Sequence, residues 1–257
     1  MPGRASSGEL AGDWIGEGAP IPVKQGNVSG IVLTPHKLAV ISTFTRELAA
    51  HSTPQIEALI RQMILEDTAQ ALDKYLFDAI AGGPTRPPGL LYGVTLTASA
   101  GGTAANMVTD LKTMLTKITT AGGGRRLAWV MNPVHAVGLG MVQSASGDFT
   151  FQNEINNGNL LSYPLITSLN MPAGTVLLID LADFASASND TPVYDVSDVA
   201  TLHMETNAQP IVDGIGEPAQ PVRSLWQTAS IGVRMIQELA WGMRRPGMIA
   251  GVSGVTW

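Results

Sequence analysis

Chemistry at neutral pH draws first on histidines, thiols and clustered carboxylates. The four histidines, His36, His51, His135 and His203, stand singly, and no two share the spacing of an H-E-x-x-H zinc helix. A surface or core-edge imidazole accounts for each. The chain has no cysteine, which removes thiolate nucleophiles, disulfides and thiolate metal sites. Asp180, Asp183, Asp190, Asp195 and Asp198 are close enough to gather a hard cation, but they lack the spacing of a calcium loop. A solvated cluster at strand ends is the simpler expectation. Gly214-Ile215-Gly216-Glu217-Pro218-Ala219 fits G-x-G-x-x-A formally, yet Pro218 interrupts it and no helix follows, so it is no dinucleotide site. Gly251-Val252-Ser253-Gly254-Val255 lacks the last glycine of a nucleophile elbow. No phosphate loop of the form G-x-x-x-x-G-K-[ST] occurs. These residues predict no catalytic site, no metal and no cofactor.

The remaining chemistry is charge. Charged residues are 14% of the chain, against about 25% in an average soluble domain. So much neutral surface favours association, which points to an oligomer. From residue 127 to 222 there is no Lys or Arg, but there are ten acids: Asp148, Glu154, Asp180, Asp183, Asp190, Asp195, Asp198, Glu205, Asp213 and Glu217. All 15 basic residues lie outside this stretch, with the other 11 acids, so the flanks are +4 and the middle is −10. A nucleic-acid binder shows a dense basic stripe, and none is present. Arg125-Arg126 and Arg244-Arg245 are pairs suited to bidentate contact with carboxylates of another subunit. An ordinary surface pair is the plain alternative.

These side chains need elements to position them. Residues 1–13 read as an extended arm. Pro20 and Pro22 forbid helix in the Gly- and Pro-rich run 14–33. Ile21, Val23, Val28, Ile31 and Val32 predict two strands around a turn at Gln25-Gly26-Asn27. Residues 38–45 are β-prone. Residues 52–80 predict a long helix, with Ser52 or Thr53 as N-cap and Pro54 in the first turn. Ile56, Leu59, Ile60, Met63, Ile64, Leu72, Tyr75, Leu76 and Ile80 would line its inner face. Such a helix is about 40 Å long at 1.5 Å per residue, a strut rather than a core helix. Helices are predicted at 106–120 and 133–144, and strands at 127–131, 176–179, 193–205, 225–244 and 248–255. The segment 148–168 reads as loop-rich and 213–222 as a Gly- and Pro-containing loop. The class is α+β. No signal peptide and no membrane-spanning stretch is evident in the sequence.

Three stretches together resemble one family, the major capsid proteins of tailed bacteriophages with the chainmail-type fold. The first is W-x-G-E-G-A-P-I-P at residues 14–22, then a β-prone run, the long helix and Pro88-Gly89-Leu90-Leu91. The second is Ala128-Trp129-Val130-Met131-Asn132-Pro133. The third starts at Trp226-Gln227-Thr228, runs through a long ribbon and residues 241–246, and closes on Trp257. The resemblance implies an N-terminal arm at 1–16 and an extended β-hairpin loop at 17–38. It implies a peripheral domain at 39–105 and 191–245 that includes a spine helix, and an axial domain at 106–190 and 246–257.

It further implies a structural protein and not an enzyme. The chain would self-assemble into pentamers and hexamers of an icosahedral head enclosing double-stranded DNA, which it touches loosely. Its place would be the virion capsid, assembled in the host bacterial cytoplasm, with portal, scaffold or decoration proteins as further partners and no membrane. The candidate assembly residues are Trp14, Glu17, Pro20, Pro22 and Lys24 in the loop, and Arg125, Arg126, Arg223, Arg244 and Arg245 elsewhere. An encapsulin-like nanocompartment of the same fold is the alternative, and a soluble oligomeric enzyme with an unrecognised site is a third. The 13 residues before Trp14 are too few for the scaffold-like region that many members lose, so the chain is expected to be the mature form, to use a separate scaffold, or to be cut. Some members crosslink an extended-loop Lys to a neighbour's Asn. Lys24 is in the right loop, but no Asn follows Asn207, so no covalent crosslink is expected.

Overall fold

The computed structural model describes residues 2–4, 10–17, 20–26, 28–51, 56–143, 147, 149–189, 191–203, 212, 216 and 223–257. The chain divides into two compact units. The first comprises 1–34, 71–187 and 240–257; the second comprises 35–70 and 188–239. In chain order the strands are β1 (Pro2–Arg4), β2 (Val28–Gly30), β3 (His36–Thr45), β4 (Thr97–Ala98), β5 (Leu127–Met131), β6 (Asn159–Leu160) and β7 (Tyr163–Thr167). They continue as β8 (Val176–Asp180), β9 (Phe184–Ser188), β10 (Val193–Ser197), β11 (Thr201–Leu202), β12 (Arg223–Ser224), β13 (Ser230–Met243) and β14 (Ile249–Ser253). The helices are α1 (Arg46–His51), α2 (Ile56–Leu76), α3 (Ala104–Thr120), α4 (Pro133–Gly140) and α5 (Gln152–Asn156).

The first unit is built on a six-stranded mixed sheet of order β4-β14-β8-β5-β7-β6. Strands β5 and β8 are buried at every residue, as continuous apolar runs are when both sheet faces are covered. Successive side chains point to opposite faces, and the core follows that period of two. Leu127, Trp129, Met131, Val176, Leu178, Ala250 and Val252 pack with Met107, Leu111, Met114 and Ile118 of α3 and with Leu139 of α4. Val130, Leu177, Ile179 and Ile249 join Phe77, Leu90, Leu91 and Met171 on the opposite side.

Local chemistry starts each helix in this unit. Thr103 caps α3, its hydroxyl accepting from the Asn106 N–H at 3.3 Å. Asn132 caps α4, accepting from the Val134 N–H at 3.0 Å, with Pro133 in the first turn. The terminal turn is pinned from the side: Trp257 is buried, its Nε1 donates to Asp110 at 3.2 Å, and its carbonyl lies 2.9 Å from His135 Nδ1.

The second unit contributes the antiparallel order β10-β13-β3 to a four-stranded sheet in which β9 also pairs with β13. β13 pairs with β3 over ten residues, from Ser230↔Thr45 to Leu239↔His36. Phe44, Val233 and Met235 on one sheet face pack with Ile64 of α2, flanked by Ile56, Ile60 and Ala49. On the other face Arg234 pairs with Asp195 at 2.7 Å.

Several expectations from sequence need correction. The predicted hairpin at 21–32 is absent: β2 pairs instead with β1, Pro2↔Gly30 through Arg4↔Val28, and residues 20–26 hold no strand. Pro20 and Pro22 have no N–H to give a ladder. Of the predicted helix at 52–80, the described residues show α2, which ends at Leu76, while a short helix the sequence did not suggest, α1, lies before it. The proposed caps Ser52, Thr53 and Pro54 lie outside the described residues. Segment 148–168, expected as loop-rich, contains α5, β6 and β7. The long strand begins at Ser230, after turns, and not at 225. Most of loop 213–222 lies outside the described residues.

Candidate assembly surfaces

Two sets of residues were singled out for contact between subunits, and the chain treats them differently. The loop set is held out from the protein. Trp14 is fully exposed at 104%, as is Val23 at 99%, with Ile21 at 79% and Val32 at 88%. Glu17, Pro20 and Pro22 are exposed too. Burying one such apolar side chain is worth roughly 1.5–3 kcal/mol, and nothing among the described residues collects that gain. Lys24 of the loop is tied to the arm: Nζ lies 2.8 Å from Asp13 and donates to the Ala11 carbonyl at 2.7 Å.

Four of the five arginines, Arg125, Arg126, Arg244 and Arg245, meet at one end of the first unit's sheet. Asp180 is fully buried at the end of β8. One carboxylate oxygen accepts from the N–H groups of Gly124 and Arg125 at 2.7 and 3.0 Å. The other accepts from Arg126 and Ala182 at 3.1 and 3.0 Å. Gly124 makes this wrap possible at φ +108°, a conformation L side chains rarely adopt. Burial pushes the Asp180 pKa up, but the N–H donors of Gly124, Arg125, Ala182 and Arg126 together more than reverse this, leaving it below the ordinary 3.8. The Arg125 and Arg126 side chains are exposed. They meet no carboxylate of their own chain among the described residues.

Arg244 and Arg245 part company. The Arg244 N–H donates to the Asp183 carbonyl at 2.8 Å and its guanidinium to the Ala182 carbonyl; its buried Nε has no partner. Arg245 is buried and grips Asp183 with two bonds, at 3.0 and 2.5 Å. That grip, ahead of the opposing cost of burial, raises the Arg245 pKa. Arg245 is therefore satisfied inside its own subunit, which corrects its assignment to a neighbour's carboxylate. Arg223 is exposed in β12, opposite Leu202.

Sequence reasoning missed a third surface. Of the apolar positions assigned to the inner face of α2, Ile64 is buried, while Leu59, Met63 and Tyr75 are 45, 52 and 41% exposed and Leu65 is 47% exposed. The signal was available: α2 has apolar residues on more than one side, and a helix apolar all round is one that neighbours cover.

Charge is shared unevenly between the two units. The first unit has ten basic and ten acidic residues; the second has five basic and eleven acidic, so the net −6 belongs to the second. Among the described residues no group of three or more His, Asp or Glu could hold a metal ion, and no helix is long and apolar enough to cross a membrane.

Comparison with known proteins gives these surfaces a context. The model of the phage capsid family matches residues 1–209. The capsid polyprotein of Pseudomonas phage PAJU2 is 28% identical, aligned over 99% of this chain and 38% of the polyprotein. The chain thus spans well under half of that relative's length. The probable major capsid protein gp17 of Mycobacterium phage L5 is 24% identical over 91% of this chain and 73% of its own. Among solved structures, that of Mycobacterium phage Adephagia superposes with a TM-score of 0.73 at 16% identity, covering 98% of this chain and 83% of the other. The capsid of an empty GTA particle computed with C5 symmetry superposes at 0.65 and 15% identity, covering 100% and 84%. At such identities the superpositions establish the fold, which is the α+β capsid fold expected from sequence. The family model covers most of the residues and the fold agrees along the whole length: the chain belongs to the phage capsid family.

Proposed function

We propose that the chain is a structural major capsid protein that assembles as pentamers and hexamers into the icosahedral head of a tailed phage, around double-stranded DNA. The observation that carries this reading is the arm: Trp14, Ile21, Val23 and Val32 extend into solvent with 79 to 104% exposure. A segment with no core of its own orders stably when a partner covers it. Exposed Leu59, Met63 and Leu65 on α2 support the same conclusion, since an isolated subunit would leave them wet. A capsid with this fold, that of the empty GTA particle, was computed with C5 symmetry, in keeping with rings of five.

In this reading residues 17–38 are the extended loop. The second compact unit serves as the peripheral domain and the six-stranded sheet unit as the axial domain. The expected peripheral domain also included 71–105 and 240–245, which cluster with the sheet unit. The role is mechanical rather than catalytic. DNA contact is loose and independent of sequence, and portal, scaffold or decoration proteins join in the host cytoplasm. Deleting residues 18–32 tests the reading. The β3–β13 pairing and all three core clusters lie outside the deletion, so the subunit should fold, with parent-like circular dichroism, but form no closed shells. Normal shells from the deletion variant would overturn it.

A further inference from the structure

We propose that Arg125 and Arg126, with Arg244 beside them, receive the acidic edge of α2, Glu66 and Asp67, from a second copy of the chain. The inference rests on the shell reading above and names one of its contacts. Its first premise is that the arginine cluster is cationic on the outside. Its two carboxylates face inward: Asp180 is consumed by four backbone N–H groups and Asp183 by Arg245. Backbone bonds tie the cluster together, with the Leu181 N–H donating to the Arg126 carbonyl at 2.8 Å and the Arg244 N–H to Asp183 at 2.8 Å. Among the described residues Arg125 and Arg126 are thus exposed cations with no acid of their own to meet, and Arg244 holds a buried Nε without a partner.

The second premise is where uncompensated acid lies. The second unit carries the chain's entire net charge of −6. Several of its described acids are already matched: Glu57 by Arg61 at 2.8 Å, Asp195 by Arg234 at 2.7 Å, and Asp198 by Arg46. Glu238 sits opposite Lys37 across the β3–β13 ladder. Glu47 is exposed and stands alone, whereas Glu66 and Asp67 are adjacent exposed acids; Glu66 accepts one bond from Gln62 at 2.8 Å, and among the described residues no cation pairs with either. Beside them on the helix stand exposed Leu59 and Met63, which the aliphatic stems of arginines can cover. Two adjacent guanidiniums against two adjacent carboxylates, edged by apolar surface, make a partly desolvated and directional contact.

The test is a charge swap in the full chain. Arg125 and Arg126 act on the fold through their backbone N–H groups, so Arg125→Glu with Arg126→Glu should leave Asp180 held and the melting temperature near the parent's. A neutral pair, Arg125→Gln with Arg126→Gln, guards against misfolding of the acidic one. Each pair, and Glu66→Arg with Asp67→Arg, should raise the protein concentration needed for shells by about tenfold. The four-residue swap should recover most of that loss. Arginine variants that assemble as the parent does, or a swap as defective as its halves, would overturn the contact. Variant shells of normal yield that retain less DNA would overturn it too, assigning the surface to nucleic acid. Failure of the parent itself to form shells would instead contradict the shell reading, and this contact with it.

Discussion

Replacing Asp180 by Asn should destabilise the sheet unit by about 3–6 kcal/mol. The carboxylate accepts four backbone N–H bonds, two on each oxygen, at 2.7 to 3.1 Å. An asparagine oxygen can keep two of them, while its amide turns donors toward the other two. Hydrogen bonds to a charged group contribute about 1.5–3 kcal/mol each, so two lost bonds give the stated range. That is a large part of the roughly 5–15 kcal/mol that holds a domain together. The assay is urea unfolding of unassembled subunits at neutral pH and again in acid. Because the folded carboxyl titrates below its ordinary 3.8, the unfolded chain takes up the proton first. The parent's extra stability is therefore complete above that value and is lost as pH falls through it toward the folded pKa. The Asn variant should lack this part of the acid dependence. A variant within about 0.5 kcal/mol of the parent, the range of ordinary surface changes, would refute the claim that Asp180 anchors the 122–126 and 180–183 turns.

Asp183→Ala should cost about 3–5 kcal/mol in the same assay, since it strands Arg245 as a buried unpaired charge; a loss under 1 kcal/mol would show the pair to be wet. Trp257→Ala should cost about 3–5 kcal/mol, because the ring is buried and its Nε1 holds Asp110; urea midpoints that do not move would contradict this. Boiled assemblies on a denaturing gel should run as a single band near 27.0 kDa, since no Asn follows Asn207; a ladder removed by Lys24→Ala would show the opposite.

Much of the architecture was legible because it rests on local rules. The run 127–131 is apolar throughout, and the structure buries it on both faces. The helices expected at 106–120 and 133–144 form as Ala104–Thr120 and Pro133–Gly140. Other parts had no local signal. Between β6 and β7 the turn is Leu161-Ser162, both at positive φ (52° and 65°), a two-residue hairpin turn without the usual Asn-Gly. Glu154 supports it by accepting from the Leu161 N–H at 2.6 Å, a contact seven residues away that composition cannot reveal. The pairing of β1 with β2 joins residues 2–4 to 28–30, and nothing in either segment specifies the other.

The candidate surfaces divide the same way. The arm's exposure follows from its prolines and lack of a core. Arg245 looked equivalent to Arg244 in sequence, and only the fold brings Asp183 to one and leaves the other half-buried. The exposed apolar side of α2 was read as core, because periodicity reports that a face is apolar and not whether its cover belongs to the same chain.

The most direct test of the shell account is negative-stain electron microscopy of the purified full chain over a range of concentrations. The account predicts closed shells or rings of five and six subunits above a threshold. Particles no larger than a 27.0 kDa monomer at every concentration would contradict it.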